Sequence, residues 1–97
     1  MEKEIIEIEN GDVVGCQIDL GNAPLILIKA RNGYIMCGYL NMEVANKLGD
    51  IAGKVTGVRS YNEALKATVV EVSEKAKKKG LKVGMTGLDF LNKLLES

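Results

Sequence analysis

The residues able to do chemistry in this chain are few, and what is missing constrains them. None of the 97 residues is histidine, which removes the usual general base near neutral pH and the commonest metal ligand. No Ser-His-Asp or Cys-His pair can therefore be built within one chain. The two cysteines, Cys16 and Cys37, stand 21 residues apart with no Cys-x-x-Cys spacing, so no metal site and no redox pair is spelled out. Cys37, flanked by Met36 and Gly38, is the candidate nucleophile. Its thiolate would need a lysine, a carboxylate or a helix N-terminus to form, and Tyr39 and Asp50 complete the catalytic candidates. The competing reading of Cys37 is an inert thiol in the core.

A second candidate is the turn Gly84-Met85-Thr86-Gly87. Backbone amides at a helix start are suited to a phosphate or carboxylate, so these four residues are the candidate site for a small anionic ligand. Asn41 joins them, because Asn41 and Asp50 bracket a short helix just past the carboxyl end of a strand, where ligands collect in α/β sheets. Both also have structural uses, as a cap and a turn residue. Gly49-Asp-Ile-Ala-Gly53-Lys54-Val-Thr56 fails as a phosphate loop, since Leu48 stands at the leading glycine position and Val55 follows Lys54. The run Lys75-Ala-Lys-Lys-Lys79 suits the last turns of a helix, where cations complement the dipole. No cofactor is indicated.

The elements that must position these residues follow from periodicity. Ile6 and Ile8 alternate with glutamates, and Val14, Cys16, Ile18 and Leu20 alternate with Gly15, Gln17 and Asp19 around Asn10-Gly11, which predicts a hairpin. A three-residue loop, Glu9-Asn10-Gly11, puts both apolar sets on one face. Pro24 opens Leu25-Ile26-Leu27-Ile28, apolar throughout and so expected to be a central strand covered on both faces. A turn at Asn32-Gly33 leads into Tyr34–Leu40 and sets Ile28 opposite Cys37. Asn41 predicts a cap for a helix ending at Gly49, with Val44 and Leu48 inward. Lys54–Val58 reads as a fifth strand, parallel to the fourth across the crossover.

Ser60-x-x-Glu63 forms a capping box, and the stripe Leu65, Val69, Val72, Ala76 favours one amphipathic helix ending at Gly80. The rival reading makes Ala67–Ser73 a strand. Thr86-x-x-Asp89 opens a last helix with Leu88, Leu91, Leu94 and Leu95 as its apolar face.

The balance of 13 basic and 13 acidic residues argues against a general nucleic-acid binder, which carries net basic charge. It hides an asymmetry of −5 over residues 1–20 against +4 over residues 54–97, a dipole that can orient self-association. The N-terminus alternates charge with isoleucine, unlike a signal segment, and no apolar run approaches the ~18 residues needed to span a bilayer. The expectation is a cytoplasmic protein with no membrane contact.

Asn32-Gly33-Tyr34, Met36-Cys37-Gly38-Tyr39-Leu40-Asn41, Lys47-Leu48-Gly49-Asp50, Val55-Thr56-Gly57-Val58 and Gly84-Met85-Thr86-Gly87 stand in that order. As a set they resemble a family of small bacterial and archaeal domains of unknown function, the one that includes the protein YunC. The resemblance implies an α/β domain whose N-terminal β region mediates tetramerisation. It carries over no catalytic residue.

The combined expectation is a single α/β (α+β) domain over residues 1–97. Residues 1–20 form an N-terminal β-hairpin for oligomerisation, and residues 21–97 form the body. The hairpins build a mixed sheet of about five strands, with one short and two longer helices packed on it. The first functional reading is a homo-oligomeric binding or scaffold module, a tetramer, holding a small anionic ligand at Gly84–Gly87. The alternative is a small enzyme with an interface active site using Cys37.

Overall fold

Alternating isoleucines and valines do build strands at the N-terminus, and the computed structural model, which describes residues 2–96, extends them into a six-stranded sheet. The elements are β1 (Glu2–Ile8), β2 (Gly11–Asp19), β3 (Pro24–Lys29), β4 (Tyr34–Met36), α1 (Met42–Leu48), β5 (Ala52–Lys54), α2 (Tyr61–Lys66), β6 (Glu71–Val72), α3 (Glu74–Lys78) and α4 (Gly87–Glu96). Strand order follows the chain, and each neighbouring pair is antiparallel except β4–β5, which is parallel across the α1 crossover. This is the expected mixed α+β sheet with one strand more.

The first hairpin has a different register from the one expected. Ile8 pairs with Gly11 and Ile6 with Val13, so Glu9-Asn10 is a two-residue loop. Ile6 and Ile8 share a face with Val13 and Gly15, while Val14, Cys16 and Ile18 turn away. The cause is tertiary: Val13 is buried in the core, and the Tyr61 ring of α2 lies on Gly15, where a Cβ would come within 2.7 Å of a ring carbon. Turning Val14 and Cys16 to that face would put side chains where the ring is.

β3 lies between β2 and β4, with Ile26 and Ile28 buried and Leu25 and Leu27 half-buried. On the fully covered face, Phe90, Leu91 and Leu94 of α4 and Ala64 of α2 close over Ile26, Ile28 and Ile35. On the other face α1 covers β4 and β5, through Met42 and Ala45 against Met36 and Ala52. Val44 and Leu48, expected inward, are outside at 50% and 72% exposure.

The β3–β4 pairing is two residues from the expected one. Ile28 faces Ile35, because the turn closes by Ala30 N–H donating to Gly33 O at 2.8 Å, with Arg31-Asn32 at its tip. β4 ends at Met36, so Cys37 follows the strand rather than lying within it, and it neighbours Ile26.

The single helix expected over residues 60–80 is broken. Ser60 Oγ accepts from Glu63 N–H at 3.1 Å and Glu63 Oε1 from Arg59 N–H at 2.8 Å, but α2 stops at Lys66. The chain then runs extended, bridging Thr68 to Thr86 and pairing β6 with β5. β-branched residues at 68–70 and 72 disfavour helix and fit a pleated edge. Ser73 restarts the helix as the cap of α3, accepting from Ala76 N–H at 3.3 Å. The strand alternative over Ala67–Ser73 was thus the nearer one. In α4 the inward residues are Phe90, Leu91 and Leu94, with Leu95 half-buried and Leu88 exposed.

Candidate functional site

At the carboxyl ends of the parallel pair β4–β5 the two strands run on into turns, and a cavity of about 300 Å³ opens between them. Cys37, Gly38 and Tyr39 form one wall, Gly57, Val58 and Arg59 the second, and Ala23 with Pro24 at the start of β3 the third. The first wall is a tight turn closed by Leu40 N–H donating to Cys37 O at 3.2 Å. Cys37 is anchored twice to Ile26: its N–H donates to Ile26 O at 3.1 Å, and its Sγ accepts from Ile26 N–H at 3.3 Å. Val55 N–H, donating to Met36 O at 2.9 Å, extends the parallel ladder to the mouth of the cavity.

Arg59, at the end of the second wall, reaches across to the residue before the third. Its N–H is fixed by the Glu63 carboxylate of the α2 capping box, and its guanidinium donates to Asn22 O at 3.4 Å, a long bond. Among the described residues it is the only charged one on the lining. Ala23, Pro24 and Val58 are apolar, and Tyr39 stands half-exposed with its ring available. One guanidinium over apolar walls with an aromatic edge suits a small molecule that has an anionic group and an apolar body.

The structure brings together two of the three catalytic candidates. Cys37 and Tyr39 share the cavity, whereas Asp50 lies at the opposite end of β4, where its Oδ2 accepts from the Tyr34 hydroxyl at 2.7 Å. Burial first, then the hydrogen bond to Asp50 and its charge, pushes the Tyr34 phenol up to about 12. Asp50 can therefore not serve Cys37 as a base within one chain. Asn41 caps α1, its Oδ1 accepting from Glu43 N–H at 2.8 Å.

The Gly84–Gly87 turn is knitted into the fold. Gly84 N–H donates to Val69 O and Gly87 N–H to Ala67 O, both at 2.9 Å, and Met85 N–H donates to Lys82 O at 3.4 Å. Thr86 Oγ1 accepts from Asp89 N–H at 3.1 Å. Four backbone donors at this helix start thus have partners inside the chain, and Asp89 already supplies negative charge to the first turn of α4. Gly87 is pressed against the Ala64 carbonyl, leaving no room for a Cβ. The glycine there serves close packing of α4 on α2.

Among the described residues, no group of three or more His, Cys, Asp or Glu is placed to hold a metal ion, and no helix is long and apolar enough to cross a membrane. Arg59, the charged residue of the lining, was missed by sequence reasoning, as were Ala23, Pro24, Gly57 and Val58. The available signal was the parallel pairing itself, which puts the segments after β4 and β5 side by side.

The segment from the last residue of β4 to Leu94 in α4, residues 36–94, matches a family described as Domain of unknown function (DUF1805). The chain belongs to that family. The matched segment includes both turns that wall the cavity and stops short of Ala23 and Pro24. Over 95 residues the chain is 32% identical to the uncharacterized protein YunC of Bacillus subtilis (strain 168), covering 94% of each. Its fold is similar to the crystal structure of TA1206, a protein of unknown function from Thermoplasma acidophilum, with a TM-score of 0.90 and 46% identity over 96% of this chain and 91% of that one.

Proposed function

We propose that this family member is a homo-oligomeric binding module whose ligand, a small molecule with an anionic group and an apolar body, sits between the Cys37–Tyr39 and Gly57–Arg59 turns. The observation that carries this reading is the cavity at the carboxyl ends of β4 and β5, with Arg59 as its one charge. Relative to the sequence-based expectation, the anion moves from Gly84–Gly87 to Arg59, because the amides of Gly84, Met85 and Gly87 are already bonded within the chain. The two free cysteines fit a reducing compartment such as the cytoplasm.

Self-association has support in the outer face of the N-terminal hairpin. Ile5 is 71% and Val14 39% exposed, and Cys16, Ile18 and Leu25 lie half-buried on that same face. Lys3 and Glu7 flank Ile5 on the outer side of β1. A two-fold axis at Ile5 sets Lys3 of each chain against Glu7 of the other, a self-complementary arrangement. The proposed assembly is a tetramer built through this region.

Native mass spectrometry of the gently purified protein tests both parts. The expected spectrum is a tetramer carrying extra mass, which Arg59→Ala loses while remaining tetrameric. The double variant Ile5→Lys, Val14→Lys should fall to smaller species while staying folded, since both side chains project from the sheet. A wild-type monomer, or a double variant that stays tetrameric, refutes the assembly. Retained mass that Arg59→Ala does not alter refutes the site.

The enzyme alternative rests on Cys37 lining the same cavity. The residue is 4% exposed and its Sγ accepts from Ile26 N–H, a setting that favours a packed thiol over a nucleophile.

A further inference from the structure

A second hollow, of about 330 Å³, opens at the other end of β4. Three cations from three elements line it: Lys29 ends β3, Arg31 tips the β3–β4 turn, and Lys75 comes from α3. Asp50 is the one acid on the wall, and the Tyr34 hydroxyl holds its Oδ2. Among the described residues the ion pairs are Lys54–Glu71 and Lys77–Glu74, so none of the three cations is held in an ion pair, and with Asp50 on the wall they still leave the hollow in positive excess. Lys29 Nζ donates to Ala30 O at 3.2 Å, and Lys75 Nζ lies 3.4 Å from where a Cβ on Gly49 would be.

The wall that carries these groups is closely packed and hydrogen-bonded. Gly33 lies against the Ile51 carbonyl so closely that a Cβ would come within 2.6 Å of the oxygen. Tyr34 N–H donates to Ile51 O at 3.0 Å, and Ser73 Oγ donates to Asp50 O at 2.7 Å. The hydroxyl proton that stays on Tyr34 adds no negative charge to the hollow.

We propose that this basic hollow binds a phosphoryl group, in free phosphate, pyrophosphate or a small phosphate monoester, with Arg31, Lys29 and Lys75 as its ligands. A monovalent carboxylate would neutralise one of the three cations, whereas a phosphate monoester carries about −1.5 to −2 at pH 7 and several strong acceptor oxygens. The Arg31 guanidinium supplies a planar fork, and the two ammonium groups supply point charges.

The test is calorimetric titration of the intact protein with pyrophosphate at low salt. Saturable binding at one site per chain is expected, weakened about tenfold by Arg31→Ala and by Lys75→Ala, the loss of one charge-assisted hydrogen bond each. Lys82→Ala removes an exposed charge elsewhere and should leave affinity unchanged. The three side chains, Arg31, Lys75 and Lys82, are exposed, so the variants should fold. Absence of saturable binding overturns the proposal, as does a loss in Lys82→Ala equal to that in Arg31→Ala, which would mean diffuse attraction.

Discussion

Replacing Ser73 by alanine distinguishes the observed chain path from the continuous helix that periodicity suggests over residues 60–80, because the two give opposite signs. In the structure Ser73 is fully buried. Its Oγ accepts from Ala76 N–H at 3.3 Å as the cap of α3, accepts from Ala52 N–H at 3.0 Å at the start of β5, and donates to Asp50 O at 2.7 Å. Losing the cap costs about 1 kcal/mol. Leaving the buried Ala52 N–H without an acceptor adds about 1–3 kcal/mol, so the expected loss is roughly 2–4 kcal/mol. For a domain of this size each kcal/mol lowers Tm by about 4–8 °C, which puts the expected drop at some tens of degrees at most and about 8 °C at least. In a continuous helix the same change would replace serine by the best helix former and raise stability by a few tenths of a kcal/mol. Thermal and urea unfolding followed by far-UV circular dichroism, at matched protein concentration, measures the sign directly. Ser73→Thr, which keeps a hydroxyl, should recover part of the loss. A Tm for Ser73→Ala equal to or above wild type would refute the account of this junction, and with it the placement of Asp50 and Lys75 around the basic hollow.

Tyr34 should ionise at about pH 12, against an ordinary value of 10.0, so its tyrosinate absorbance should be missing from the Tyr34→Phe titration at the high-pH end. Because the folded phenol holds its proton more tightly than the unfolded one, the linked stability is intact below pH 10 and is lost as pH rises toward 12. The urea midpoint of wild type should fall more steeply across that window than that of Tyr34→Phe, and parallel curves would rule out the Tyr34–Asp50 bond. Iodoacetamide should modify Cys37 in the native protein more slowly than an unactivated thiol, as mass spectrometry of the digested protein would read. Faster modification would restore the enzyme alternative. Cys16, on the outer face of β2, should become more reactive in the Ile5→Lys, Val14→Lys variant, and an unchanged rate would argue that no partner covers that face.

Local chemistry was legible wherever a few consecutive residues settle the matter. Asn41, Ser60 and Thr86 sit at helix starts with their side-chain oxygens on backbone N–H groups, and Gly49 ends α1 at a φ of 75°. The parallel pairing of β4 with the next strand followed from the length of the crossover, although that strand is Ala52–Lys54 and not the expected Lys54–Val58. Faces and registers were another matter. Val14 and Cys16 alternate as regularly as Val13 and Gly15, and the choice between them rests on Tyr61, which is distant in sequence. Val44 and Leu48 satisfy a helical stripe, yet the sheet meets α1 through Met42 and Ala45.

The sites divide in the same way. Sequence established that histidine chemistry is excluded, that the two cysteines lack local metal or redox spacing, and that glycine-rich turns open helices, because residue types and short-range backbone preferences carry that information. Only the tertiary structure decided that the amides of Gly84, Met85 and Gly87 are bonded within the chain, that Cys37 and Asp50 lie at opposite ends of β4, and that Arg59, and separately Lys29, Arg31 and Lys75, border open space. Whether a donor is spent or a charge is left beside a hollow depends on which distant segment packs against it, and no spacing along the chain encodes that contact.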